Sequence, residues 1–125
     1  MLDPLSGIPA NVDVQPSARQ LLGKLSPSVR ALIVELLEVM ERSAVVNSVP
    51  ITRTELVADR DPEEVTEKIE IRQWVRLPHE MAMDHWEAVG HEIDDCVNGL
   101  PDPAADQLAE WTSFAVYPEV NDAAA

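Results

Sequence analysis

Apolar residues recur at helical spacing between Ser26 and Ala44, where Val29, Leu32, Ile33, Leu36, Leu37 and Met40 follow an i, i+3, i+4, i+7 pattern. At about 100° per residue they form one stripe, with Glu35, Glu38, Glu41 and Arg42 turned away from it. Ser26 is placed to cap this helix, and Pro27 suits a first position whose N–H would have no partner anyway. Asn47, Ser48 and Pro50 end it. Upstream, Pro16 opens a shorter run, PSARQLLGKL, predicted to stop near Gly23 or Leu25. Residues 1–15 show no periodicity and carry Pro, Asn, Asp and Gly, which predicts a flexible arm.

The period then changes from 3.6 to 2. ITRTELVA and VTEKIEIRQWVRL alternate and are rich in β-branched residues, with DRDPEE between them as the turn of an antiparallel hairpin. In the second run Val65, Ile69, Ile71, Val75 and Leu77 share one face, and Thr66, Lys68, Glu70, Arg72, Trp74 and Arg76 the other. Charge pairing suggests a register with Glu55 opposite Lys68 and Arg53 opposite Glu70, although Leu56 then faces Glu67. A lone hairpin is marginal in water, so its apolar face must lie on helices or its edge must pair with a second copy.

Pro78 starts a third helix that runs to about Asn98, with Ala82, Trp86, Val89, Ile93, Cys96, Val97 and Leu100 as its apolar face. DPAADQLAEWTSFAVYP is predicted to be a fourth, on which Leu108, Trp111, Thr112 and Ala115 are in register. The expectation is an α+β domain over residues 16–117, of order α-α-β-β-α-α, with the antiparallel hairpin packed on the helices. Residues 118–125 are expected to be a flexible tail.

Composition adds little to this picture until charge is counted. At 125 residues and 46% hydrophobic content the chain can build one core. A single cysteine, Cys96, rules out a disulfide framework or a paired-thiol zinc site. No apolar run approaches the roughly 18 residues of a membrane span, and the first residues do not read as a signal peptide, so a soluble, cytoplasmic protein is expected. The net charge is −14. Through Arg76 there are 12 acids against 9 bases, a net of −3; from Leu77 onward there are 11 acids and no Lys or Arg, a net of −11. Such a segment repels phosphate and anionic membranes and attracts basic surfaces, and it also favours solubility.

The stretch HEMAMDHWEAVGHEIDD, residues 79–95, gathers three histidines and six carboxylates. On a helix, His91 lies between Glu87 and Asp95 with Asp84 on the same side, and that set of three is the alternative reading as divalent-metal ligands. Helical rotation turns His79 and His85 elsewhere, His85 toward the edge of the apolar stripe, and the spacing does not match H-E-x-x-H. Cys96 falls in the apolar stripe, where a thiol is packing. No G-x-S-x-G elbow or phosphate-cradling glycine loop is present, so no catalytic residue and no cofactor are assigned. Arg53, Lys68, Arg72 and Arg76 make the only basic concentration, diluted by Glu55 and Glu70. On a chain of this charge they argue against direct nucleic-acid binding.

Those observations favour a non-enzymatic interaction or regulatory protein that shows an acidic helical face to a basic partner, as adaptors, antitoxins and DNA-mimic inhibitors do. Glu80, Asp84, Glu87, His91, Asp94 and Asp95 are the expected contacts, with Arg72, Trp74 and Arg76 as a second surface. A homodimer through the hairpin edge is one way to cover that edge. The alternatives are a metal-binding protein or small metal-dependent enzyme using Glu87, His91 and Asp95, and a transcription-factor-like module using the hairpin.

Overall fold

Prolines set the helix starts. In the computed structural model, which describes residues 7–60 and 67–119, α1 spans Pro16–Lys24 and α2 spans Pro27–Val46. The Oγ of Ser26 accepts from the Val29 N–H at 3.3 Å, the capping bond expected of it. α3 covers His79–Asn98, directly after Pro78, and α4 covers Asp102–Trp111. The strands are β1 (Val12–Val14), β2 (Ile51–Arg60), β3 (Glu67–Val75) and β4 (Thr112–Pro118), and the chain order is β1-α1-α2-β2-β3-α3-α4-β4.

The domain is α+β as expected, but the hairpin is the centre of a four-stranded mixed sheet rather than the whole of it. β2 and β3 pair antiparallel, β1 adds parallel to β2, and β4 adds parallel to β3. Two expectations are corrected here. Val12–Val14, placed in a flexible arm, is strand β1; Val12 and Val14 pack on the core, and the Gln15 N–H donates to Leu56 O at 3.0 Å. Residues 112–118, placed in the fourth helix, are strand β4. Thr112 Oγ1 bonds back to Leu108 O and closes α4. Beyond it, Thr112, Phe114 and Val116 alternate along a strand rich in β-branched and aromatic residues that pairs with the otherwise unpaired edge of β3, and that pairing outweighs the coincidental helical spacing of Leu108, Trp111, Thr112 and Ala115. The outer edge of β3 is occupied along Ile69–Val75 and that of β2 along Thr54–Leu56, so the hairpin finds sheet partners within its own chain. Residues 1–6 and 120–125, and the Asp-Pro turn at 61–66, lie outside the described residues.

The register differs from the charge-based expectation as well. Glu55 faces Arg72 rather than Lys68, and Leu56 faces Ile71 instead of Glu67. The magnitudes explain this. A cross-strand ion pair is worth a few tenths of a kcal/mol, whereas burying a leucine is worth about 2 kcal/mol. Leu56, Ile69 and Ile71 are all fully buried in the resulting arrangement.

All four helices pack on one side of the sheet, against the face carrying Leu56, Ile69 and Ile71, where Leu22, Ile33, Met40, Val89 and Leu108 complete the core. A smaller cluster of Val75, Ala82 and Val116 extends it toward the end of β3. Because β2 and β3 run in opposite directions while both crossovers lie on the same side, the two parallel β-α-α-β units have opposite hands. One of them must break the right-handed preference of such connections. The other sheet face carries no helix among the described residues.

α2 ends in a Schellman turn: the Ser48 N–H donates to Val45 O and the Val49 N–H to Ala44 O at 2.8 Å. Ser48 takes the left-handed position of that turn, with φ +55°, which glycine adopts without steric cost. Ser48→Gly is therefore expected to stabilise the protein by about 1 kcal/mol, read as a raised urea midpoint at unchanged slope, and Ser48→Val to destabilise it by at least as much.

Candidate interaction surfaces

Alternation along β3 fills both faces of the sheet. On the helix side, Gln73 is only 1% exposed and sits between α2 and α3. Met40's carbonyl can only accept, so the Gln73 amide nitrogen donates to it, at 3.3 Å. That leaves Gln73 Oε1 facing His85 Nε2 at 2.7 Å, and His85 Nε2 must carry the proton and donate. His85 is 4% exposed, and burial lowers its pKa below the ordinary 6.5, so the ring is neutral at pH 7. The neutral ring then has a bare acceptor at Nδ1, which is buried and has no hydrogen-bond partner among the described residues. Sequence reasoning put His85 at the edge of the apolar stripe and Trp86 inside it. The structure buries His85 and leaves Trp86 39% exposed, tilted against Phe114. The alternating period of β3 does put Gln73 on the buried face, and a buried amide demands a polar partner. That was the available signal.

His85 also lines a pocket of about 290 Å³ between the end of α2 and the start of α3, with Val49, Leu77, Met81, Asp84 and Ala88. Glu80, Asp84, Glu87, His91, Asp94 and Asp95 are all exposed. At about 100° per residue they fall within about 100° of arc, on the side of α3 opposite Val89 and Ile93. None of them forms an ion pair with any described residue. Glu87, His91 and Asp95 gain no ligand from another element, and among the described residues no group of three or more His, Cys, Asp or Glu side chains is placed to hold a metal ion.

The opposite sheet face carries a continuous polar and aromatic ladder. Trp74 and Tyr117 stack at 4.7 Å between centroids, and the Arg53 guanidinium lies 4.8 Å above the Trp74 ring. Tyr117's hydroxyl donates to Glu70 Oε1 at 3.1 Å, and Arg72 Nε donates to the same oxygen at 2.9 Å. Arg72 also reaches Glu55 at 3.9 Å, and Glu55 accepts from Gln15 Nε2 at 2.7 Å. The hydrogen bond to Glu70 raises the Arg72 pKa against the effect of burial; burial, then the Glu70 charge, raises that of Tyr117. Trp74 is covered by Arg53 and Tyr117 on the sheet face that carries no helix among the described residues. Arg76 is exposed just past β3. The two expected surfaces thus lie on opposite sides of the molecule, α3 outward from the helix layer and Arg72 and Trp74 on the bare sheet.

No family model, curated protein or solved structure matches the chain.

Two outcomes follow from this geometry. Arg72→Met keeps the stem but strands the nearly buried Glu55 and Glu70 without their cation, so a loss of about 1–3 kcal/mol in urea unfolding is expected. A loss below about 0.5 kcal/mol would mean that solvent screens the ladder. His85 gives a pH signature. Its folded pKa lies below its unfolded value, so the unfolded chain binds the extra proton as pH falls through 6.5. The contribution is complete above about pH 6.5 and is lost below it, by at most about 1.4 kcal/mol per pH unit. His85→Leu is expected to be less stable at pH 7.5 and to show a shallower decline between pH 7 and 5.5.

Proposed function

We propose that the protein is a non-enzymatic interaction protein whose acidic α3 face engages a basic partner protein. One observation carries the reading: six consecutive members of a helical stripe, five of them carboxylates and the sixth His91, stand exposed with no cationic partner among the described residues. Like charges three or four residues apart on one helix face repel one another unless bases offset them. Among the described residues the ion pairs are confined to the sheet side, where Arg72 is committed to Glu70 and Glu55. That commitment also weakens the hairpin as a phosphate-binding surface, since counterion release needs free cations. The stripe fits adaptor, antitoxin-like and DNA-mimic roles equally, because all three occupy a basic site. Trp74, Arg72 and Arg76 form a second surface of the residue types that anchor interfaces.

Long-range attraction of this kind depends steeply on salt. The full chain is expected to bind lysine-containing peptides at 20 mM salt and to lose at least tenfold in affinity at 300 mM, measured by calorimetry. Asp84→Asn, Glu87→Gln and Asp94→Asn together are expected to weaken the low-salt binding about tenfold while leaving the thermal midpoint near its original value. No binding at low salt would reduce the stripe to a solubility device.

A further inference from the structure

We propose that the pocket beside His85 receives a lysine side chain of the basic partner. This rests on the reading of α3 given above and specifies how that face recognises its target. The pocket adjoins the acidic stripe, because Asp84 belongs to both. Its walls, Val49, Leu77, Met81 and Ala88, are aliphatic, and Met81 is 53% exposed although nothing in the stripe needs an apolar neighbour. A lysine stem of four methylenes would cover such a wall while its ammonium stays at a polar end.

Three features favour a cation there. Asp84 supplies a carboxylate at the rim. Asn47 and Ser48, at the C-terminal end of α2, line the pocket, and the last turn of that 20-residue helix has no basic side chain to offset its partial negative charge. The third points to a donor directly. His85, in the pocket lining, is 96% buried, its Nε2 is engaged with Gln73, and its Nδ1, itself buried, is an acceptor without a partner among the described residues. The nearest basic side chain of the neighbouring cleft, Arg42, shares that cleft with Glu92.

The same features select lysine over arginine. A guanidinium is best held by a bidentate carboxylate or an aromatic face, and the lining offers one exposed carboxylate and no aromatic ring. An ammonium is a compact donor of three hydrogens that a single imidazole nitrogen and a single carboxylate can share.

The test uses the full chain and four short peptides that differ at one residue: lysine, arginine, norleucine and Nε-acetyl-lysine. Binding is followed through the Met81 methyl and the His85 imidazole nitrogens by NMR at low salt. The lysine peptide is expected to bind at least fivefold tighter than the arginine peptide and to shift both signals, with Nε-acetyl-lysine and norleucine weaker still. Ala88→Leu, which fills the pocket, is expected to erase the lysine preference while salt-sensitive binding of both basic peptides persists. If lysine and arginine bind equally and leave Met81 and His85 unmoved, the pocket assignment is wrong and the stripe stands. Norleucine binding as well as lysine would overturn it too, by showing an apolar groove indifferent to charge. Failure of every basic peptide to bind overturns both readings.

Discussion

The side-chain amide of Gln73 is the joint between the sheet and the helix layer. It lies in the central strand, donates to the Met40 carbonyl of α2 and accepts from His85 of α3. Each bond is modest in net terms, but each group is buried, and stranding any of them costs about 1–3 kcal/mol. Hydrophobic contacts alone would let a helix roll by tens of degrees at little cost, since apolar side chains of similar size exchange easily. A buried hydrogen bond has one acceptable geometry. By fixing His85 inward, it sets the rotation of α3 about its own axis, and the six stripe residues, displaced by roughly half a turn, must then face solvent.

The strand that holds this joint also separates two kinds of electrostatics. On the helix side of the molecule the acids stand alone at the surface. On the bare sheet side Glu55 and Glu70 are paired with Arg72, and Asp59 stands opposite Lys68, while Asp13 lies across from Glu55. The Arg53–Trp74–Tyr117–Glu70–Arg72–Glu55 ladder covers this face with stacked rings and shared carboxylates, although the buried Trp74 Nε1 has no hydrogen-bond partner among the described residues. Nearly all of the −14 charge therefore falls elsewhere, and α3 carries the densest share of it with no base in 20 residues.

Much of this fold was legible because its signals are local. Prolines and a serine cap mark helix starts, and the alternation of Lys68 to Val75 assigns each residue to its sheet face without reference to anything distant. What escaped is non-local. Val12–Val14 is too short to carry a period of its own and becomes a strand only because β2 offers an edge. Thr112–Pro118 continues a plausible helical spacing and is redirected by the edge of β3. The register was misread because charge complementarity, the more visible pattern, is the weaker force. Of the candidate site, the exposed stripe could be read from helical rotation alone. The burial of His85 could not, since it depends on an amide twelve residues away on another element.

In the proposed reading, the stripe and the pocket divide the work of recognition in a way their physics allows. Exposed charge acts over about 10 Å at moderate salt and raises the rate of encounter, but it holds no particular residue in place. An aliphatic slot with a single buried acceptor acts only at contact and governs how slowly a bound side chain leaves. On α3 these are adjacent, joined at Asp84, and both depend on the same rotation of the helix. In that reading, a partner attracted by the stripe would arrive beside the pocket. The buried hydrogen bond between His85 and Gln73 that orients the stripe also fixes the ring whose buried Nδ1 has no partner among the described residues.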